Sequence, residues 1–440
     1  MKLLAYIAAF FILLPLPSTA QQKQQIIISS RTFHPGNNGD SINTIKAVKD
    51  FAAERVDWLY TSVPAYTKQL QDLNVPFSLA LNPQVADSSG YTTAKGRIID
   101  LHGNLFIAPW MKGQRMKNPY WGCVNAPYFK QLFLKTAKKL VDLGPYGILV
   151  DDPLFNIQAV KEDGCFCDYC VKGFTEYLRQ NGVAVPGDFN YRQAMLADYE
   201  GAKKKYGKLW QQFQTQSVIN FLTQWKAEVK EYAKRDLVFI CNNYKGQWSG
   251  VYKVFDAGIS EIEEKDIDFA LISHSLDSAR QLGKKQSFNF ESDNENLLYG
   301  AILYTYINGS EALLPWDLWL QGKPKRFYGK KQNYEDLISL LKNVILNPAF
   351  TKTISKTKLK RYSLPANSYI CYSYTNGTDT YDIIFNFKYR AAAPLLVNTG
   401  TRLSSMLKKP ANNAFGRHYQ NFSGGLVNGS VNSCFMVIKE

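Results

Sequence analysis

Eight short apolar runs, rich in β-branched residues and separated by stretches of helical periodicity, constrain the fold of this chain more than any other feature. Such runs are typical of parallel strands that are buried on both faces. A doubly wound sheet would require a glycine-rich phosphate-binding turn after an early strand, and the sequence has none there. We therefore predict an α/β fold, a (β/α)8 TIM barrel. The predicted strands are 26–33, 58–63, 77–81, 147–152, 237–243, 258–263, 287–291 and 312–317.

The two ends of the chain differ from the predicted barrel. Residues 1–20 combine a basic start, an apolar run and small residues ending at Ala20, as secretory signal peptides do. After about residue 355 the apolar residues alternate, with an Asn-Gly turn at 376–377, which predicts a C-terminal antiparallel β-sandwich. We therefore expect a signal peptide over 1–20 that is cleaved after Ala20, a barrel over 21–355 and a β-sandwich over 356–440. The expected location is the periplasm or the exterior of the cell.

Charge and composition limit the classes of binding partner that we expect. The chain has a formal net charge of +15, but no helix-turn-helix, zinc-finger or RNA-binding signature accompanies that charge, so we expect no nucleic-acid partner. No stretch after the signal segment reaches the length of a membrane-spanning helix, and we expect no stable membrane insertion. Aromatic residues reach 14%, which fits a ligand that is bound by flat faces. The oligomeric state is left open.

Acidic residues end several of the predicted strands. Side chains at the C-terminal ends of barrel strands face one shared pocket. Glycoside hydrolysis requires two carboxyl groups there, one protonated to donate to the leaving oxygen and one ionised as nucleophile or base. The sequence therefore predicts an O-glycosidase, and the alternative is a non-catalytic carbohydrate-binding barrel in which the acids only bind sugar hydroxyls. The candidate catalytic residues are Asp151, Asp152, Glu261, Glu263 and Glu291.

The roles within this set stay open at this stage. Asp151 and Asp152 are adjacent, so on a strand their side chains point to opposite faces. Both faces of a barrel strand are apolar, so the alternation does not say which of the two points inward.

Polar and aromatic residues near the same strand ends are candidates for binding the sugar. An indole face suits the axial C–H groups of a pyranose ring, and amide, guanidinium and carboxylate groups suit its hydroxyls. The candidate substrate-binding residues are Arg31, Trp110, Asn242, Asn243, Trp316 and Asp317.

Four cysteines form the most specific motif in the sequence. Cys165, Cys167 and Cys170 lie within six positions, and Cys123 precedes them in Trp121-Gly122-Cys123. Four thiolates match a closed tetrahedral zinc site, which is structural because no position is left for water. A disulfide between two of these residues is the alternative that an oxidising compartment allows.

The cysteine run after the fourth predicted strand, with a partner cysteine upstream, resembles the zinc cluster of glycoside hydrolase family 42 and its barrel relatives. The wider pattern around residues 121–127 and 147–153 is similar to uncharacterised glycosidase-like proteins of Bacteroidetes. The resemblance implies an acid/base at the second residue of the strand-four pair, Asp152, and a nucleophile at the end of strand seven, Glu291.

The strand-four pair departs from that family. Family 42 enzymes carry Asn-Glu where this chain has Asp151-Asp152, and Asp is shorter than Glu by a methylene. A second resemblance is to barrels of the α-galactosidase and α-fucosidase type, which have a strand-four Asp as nucleophile. It implies attack by Asp151 or Asp152 and proton donation by Glu261 or Glu263.

Overall fold

A computed structural model describes residues 23–36, 43–84, 95–112, 119–315, 334–362, 364–388, 396–397, 427–428 and 434–439. The predicted signal segment lies outside these residues, and so do Trp316 and Asp317. Among the helices of the described ranges, none is both long enough and apolar enough to cross a membrane.

The predicted closed barrel is confirmed. Eight parallel strands pair in chain order, and the first also pairs with the eighth, so the sheet closes on itself. The second strand begins earlier than the sequence predicts, and its register shifts between Val56 and Leu59. The strands are β1 (Ile27–Ser29), β2 (Arg55–Leu59), β3 (Phe77–Leu81), β4 (Gly147–Val150), β5 (Val238–Asn242), β6 (Ala257–Glu263), β7 (Lys285–Glu291) and β8 (Glu311–Pro315).

Helices surround the barrel. The connection from β4 to β5 is the longest of those that the structure describes in full, and it contains four helices, the last of which has 35 residues. The helices between the barrel strands are α1 (Thr44–Asp50), α2 (Pro64–Asp72), α3 (Pro127–Val141), α4 (Asn156–Val160), α5 (Asp168–Gln180), α6 (Tyr191–Ala197), α7 (Tyr199–Ala233), α8 (Phe269–Gln281) and α9 (Glu295–Ile307). Long connections at strand C-termini build the rim of the pocket in this fold.

Side chains fill the interior of the barrel. An inner cluster takes one residue from each of seven strands, and it packs separately from the larger core between strands and helices. Its members are Ile27, Trp58, Ala80, Leu149, Ile240, Ile259 and Leu313. Because side chains alternate along a strand, residues two positions after these also face the interior or the mouth above it.

The C-terminal region forms a separate antiparallel sheet of four strands in the order β14-β11-β10-β9, and this part of the predicted fold is confirmed. One face packs on the barrel helices, where Phe385 lies 5.3 Å from Phe269 and 5.0 Å from Tyr304 between ring centroids. Leu359 of a short helix packs on the other face. The remaining elements are α10 (Glu335–Leu340), a π-helical turn (Leu341–Ile345), β9 (Thr351–Ile354), α11 (Lys356–Arg361), β10 (Tyr369–Thr375), β11 (Thr380–Asn386), β12 (Leu396–Val397), β13 (Val427–Asn428) and β14 (Phe435–Lys439).

Candidate active site

A polar network crosses the C-terminal mouth of the barrel. The Nδ2 atom of Asn242 donates to Asp151 Oδ1 at 2.9 Å and to Glu261 Oε2 at 3.0 Å. Arg31 forms an ion pair with Glu261, and its Nη2 lies 3.8 Å from Glu291 Oε1. These five residues are all predicted site residues. Four come from the ends of different strands and one from the loop after β4, and they meet at the mouth.

The inner cluster shows which of the two adjacent acids points into the barrel. Leu149 faces the interior, so Asp151, two residues later, faces the mouth above it. The backbone of the next residue, Asp152, adopts the left-handed conformation, with φ of +50°. The N–H of Asp152 donates to Asp151 Oδ1 at 3.0 Å. This turn brings Asp152 beside Asp151 instead of leaving it on the outer face. Both acids therefore belong to the site.

The surroundings of Asp152 favour its protonated form. Burial and the neighbouring Asp151 carboxylate raise the pKa of Asp152 to about 8, although Arg31 and a hydrogen bond to Trp110 act in the opposite direction. The Asp152 carboxyl group therefore holds its proton at neutral pH. A protonated carboxyl group in such a pocket is suited to donate that proton.

Trp110 forms part of the rim. Its side chain is 45% exposed, and its ring packs edge-to-face on the fully buried Trp121, with centroids 5.5 Å apart. Because Trp121 and the hydrogen bond with Asp152 hold the indole, an aromatic face lies next to the Asp152 carboxyl group. That combination suits a sugar ring.

Two predicted site residues lie elsewhere. Asn243 is fully buried, and its amide bonds Gln286 Oε1 at 2.7 Å and the Gln247 carbonyl at 3.1 Å, because it points away from the barrel interior. Asn243 therefore lies outside the network across the mouth. Glu263 lies at the outer rim, where its 63% exposed side chain pairs with Lys265 at 2.6 Å. The network across the mouth does not include Glu263.

Tyr60 and Trp58 are site residues that the sequence reasoning missed. The Tyr60 hydroxyl donates to Asp151 Oδ2 at 2.5 Å, and the Arg31 guanidinium stacks over the Trp58 ring at 4.6 Å. Trp58 lies at the register shift in β2 with φ of +66°, a conformation that few tryptophans adopt. Both residues lie within the predicted second strand, 58–63, and their spacing of two, which places them on one face, is the only sign of this in the sequence.

The four predicted cysteines come together in a buried cluster beside the site, at a place where they could bind a metal ion. Their sulfur atoms lie within 4.8 Å of one another, and Cys123 Sγ is 3.3 Å from Cys170 Sγ and 3.7 Å from Cys165 Sγ. A disulfide requires about 2.05 Å, whereas sulfurs around a tetrahedral zinc at 2.3 Å lie about 3.8 Å apart. All four thiols are free, so the separations fit metal ligands and not a disulfide.

Amide groups surround the sulfurs. Asn125 Nδ2 donates to Cys170 Sγ at 3.2 Å, and Asn156 Nδ2 donates to Cys123 Sγ at 3.4 Å. Such N–H donors stabilise thiolate ligands and orient them. Asn156 begins α4, four residues after Asp152, so the cluster supports the loop that carries the protonated acid. A loss of the cluster is therefore expected to disturb Asp152.

A cavity of about 400 Å³ also opens at the opposite, N-terminal end of the barrel. Its polar groups are already paired: Arg55 contacts Asp57 at 2.9 Å and Glu311 at 2.6 Å, and Tyr146 donates to Asp57 at 2.6 Å. This end of a TIM barrel serves stability, so the chemistry belongs to the C-terminal mouth.

The fold and the mouth together define a (β/α)8 barrel with a network of carboxylates across its C-terminal mouth. No family model matches the sequence, and no curated protein matches it.

Solved structures do show similarity. The chain is similar to Amy13B of Eubacterium rectale, with a TM-score of 0.49 and 10% identity over 95% of each chain. It is also similar to a maltogenic α-amylase, AmyB, of Thermotoga neapolitana, with a TM-score of 0.45 and 10% identity over 94% of this chain and 96% of that one. An α-L-fucosidase of Paenibacillus thiaminolyticus gives a TM-score of 0.45 and 11% identity over 71% of this chain and 48% of that one. At these values the function rests on the side chains of the site.

Proposed function

We propose that this protein is a glycoside hydrolase that cleaves O-glycosidic bonds of an oligo- or polysaccharide. The observation that carries the proposal is the protonated Asp152, which lies beside a carboxylate network that Arg31, Asn242 and Tyr60 hold in place. Glycoside hydrolysis needs one carboxyl group in each of these two states. The exposed indole of Trp110 beside the acid favours a sugar ring as the ligand.

In this proposal Asp152 is the general acid. Its proton goes to the glycosidic oxygen as the bond to the anomeric carbon breaks, and this donation prevents the leaving group from departing as an alkoxide. Trp110 holds the acid by its hydrogen bond and offers its face to the sugar. Tyr60 and Asn242 keep Asp151 fixed next to the acid, so that Asp151 maintains the field that keeps Asp152 protonated.

Glu291 is the proposed nucleophile or base. Acid and nucleophile must flank the anomeric carbon, and β7 lies across the closed barrel from β4. Arg31 lies 3.8 Å from Glu291, and a nearby cation favours the ionised carboxylate that attack requires. Glu261 and Arg31 would then bind hydroxyl groups of the substrate. This assignment agrees with the roles that the family 42 resemblance implies.

The other resemblance assigns the acid to Glu261 or Glu263, and the geometry favours it less. The ion pair between Glu261 and Arg31 stabilises the ionised form, which cannot donate a proton. Glu263 is exposed at the rim and paired with Lys265. Neither residue matches Asp152 as a proton donor.

The pH profile tests the acid. Because Asp152 must be protonated and its pKa is raised to about 8, kcat/KM for an unactivated substrate should fall above about pH 8. The hydrogen bond from Trp110 lowers that pKa, so Trp110→Phe should move the alkaline fall to higher pH, whatever its effect on sugar binding. If the fall in kcat/KM above about pH 8 is unchanged in both Trp110→Phe and Asp152→Asn, a group other than Asp152 causes it.

We also propose that Cys123, Cys165, Cys167 and Cys170 bind one structural zinc ion. The four buried sulfurs and their amide donors support this choice, and a closed thiolate site leaves no position for a reactive water. The ion would tie the loop before α3 to the loop before α5 and so hold the β4 loop between them. No catalytic metal or organic cofactor is part of the proposal.

Removal of this metal should destabilise the protein. Purified protein is expected to contain about one equivalent of zinc, and chelation or Cys170→Ser should lower Tm by several degrees or more. Cys241→Ser is the matched control, since Cys241 is equally buried but lies outside the cluster, and it should keep the zinc. Protein without zinc, with a disulfide among the four cysteines by peptide mapping, would contradict the proposal.

Export of the protein remains a proposal based on residues 1–20. The expected result is a mature N-terminus at Gln21 in protein recovered from the periplasm or medium. N-terminal sequencing checks this, and an intact Met1 on the native protein would contradict it.

A further inference from the structure

Asn289 is a buried amide at the floor of the candidate site. It lies on β7, two residues before Glu291, and it pairs in register with Glu261 on β6 and with Leu313 on β8. Leu313 belongs to the inner cluster, so Asn289 faces the interior too. Its side chain is 0% exposed.

Neither polar atom of this amide has a partner among the described residues. Within the described ranges, no protein group hydrogen-bonds Nδ2 or Oδ1 of Asn289. Asn243, which is equally buried, bonds Gln286, Ser260 and the Gln247 carbonyl. A buried amide without partners costs stability, and an apolar residue of the same shape would avoid that cost. Its presence in the interior therefore points to a partner that is not part of the protein.

The Arg31 guanidinium contacts both acids that neighbour this amide. It forms an ion pair with Glu261, the register partner of Asn289 on β6, and its Nη2 lies 3.8 Å from Glu291, two residues after Asn289 on β7. Arg31 Nε is also buried, and it too has no hydrogen-bond partner among the described residues. Unpaired polar atoms of two residues thus adjoin the same two carboxylates.

The chemistry of these groups identifies the partner. A substrate hydroxyl cannot reach a fully covered side chain, whereas buried waters that bond two to four polar groups are common inside proteins. Asn289 Nδ2 and Arg31 Nε supply donors, and Asn289 Oδ1 and the Glu261 carboxylate supply acceptors, which is the balance that a water requires.

We propose that Asn289 is a positioning residue that holds an internal water between its amide, Arg31 and Glu261. Through this water Asn289 fixes the Arg31–Glu261 pair, and so fixes the polar face that meets the sugar. The effect on turnover rests on the proposed glycoside hydrolase function, but the water and its effect on stability do not.

A crystal structure of the mature chain that resolves ordered water is the first test. The expected result is one water within hydrogen-bond distance of Asn289, Arg31 and Glu261. An empty space beside Asn289, or an amide bonded directly to protein, would overturn the proposal even if the enzyme hydrolyses glycosides.

The second test compares Asn289→Leu with Asn243→Leu. The first removes the water with the Asn289 amide and leaves only Arg31 Nε without its partner, so it should lower Tm by less than the second, which strands Gln286 and Ser260 and should lower Tm by several degrees. In an active enzyme, Asn289→Leu should lower kcat about tenfold with little change in KM, and Asn289→Ser should restore most of it by holding water again. Full kcat in Asn289→Leu would overturn the positioning role. If the wild type hydrolyses no glycoside, the proposed function is wrong, but the crystal structure and the Tm comparison still test the internal water.

Discussion

Glu291→Gln is expected to abolish turnover of every substrate that the wild type cleaves, with a loss in kcat of about 10⁴-fold or more. The substitution keeps the shape of the side chain and removes the charge that attacks the anomeric carbon or activates water. Because this step is common to all substrates, the loss should not depend on the leaving group. Steady-state rates on an aryl glycoside and on an unactivated oligosaccharide measure it.

Glu263→Gln is the matched control for this experiment. It makes the same chemical change on a neighbouring strand end, but at a side chain that is 63% exposed and paired with Lys265. We expect its kcat to stay within about twofold of the wild type, in line with the small contribution of exposed ion pairs. Equal losses in the two variants would show that Glu291 has no special role.

Asp152→Asn is expected to separate substrates by their leaving groups. Rates on unactivated substrates should fall about 10²- to 10⁴-fold, because the leaving oxygen there needs the proton. Rates on activated aryl glycosides, whose leaving groups depart as stable anions, should fall much less. Equal losses on both types would identify Asp152 as the nucleophile and move the acid to Glu261 or Glu263.

Stability gives an independent control for the same variant. The pKa of Asp152 is raised in the folded protein, so folding favours its protonated form, and the stability that it contributes is present at low pH and is lost as pH rises towards about 8. An asparagine removes this dependence. Asp152→Asn should therefore unfold at a higher temperature than the wild type at pH 8, and the loss of turnover cannot then be due to misfolding.

The barrel can be predicted from the sequence because strands that are buried on both faces appear as short runs of apolar residues. The run 147–152 is purely apolar until two acids end it, and this end marks the mouth of the barrel. The cysteine cluster is predictable for a related reason: four thiols at short spacing have few stable arrangements.

The details of the site depend on backbone features that no pattern of apolar residues indicates. Both faces of β4 are apolar, so nothing in the sequence shows that Leu149 faces inward and takes Asp151 with it. The left-handed turn at Asp152 then reverses the direction that strand alternation predicts for the next residue. Asn243 lies outside the network because β5 ends with its inward position at Asn242.

The missed residues have a similar cause. The register shift in β2 turns Trp58 into the barrel and brings Tyr60 to Asp151, and a register shift is not visible in an apolar pattern. The raised pKa of Asp152 depends on burial and on its distance from Asp151, which only the folded chain establishes.

Hydrolysis and binding, measured on the same panel of α- and β-linked aryl glycosides and oligosaccharides, distinguish a glycoside hydrolase from a carbohydrate-binding barrel. The wild type is expected to release reducing ends from at least one member, and Glu291→Gln is expected to bind that member with similar affinity and release none. Binding by the wild type without hydrolysis of any member would contradict the account and identify the protein as a carbohydrate-binding barrel.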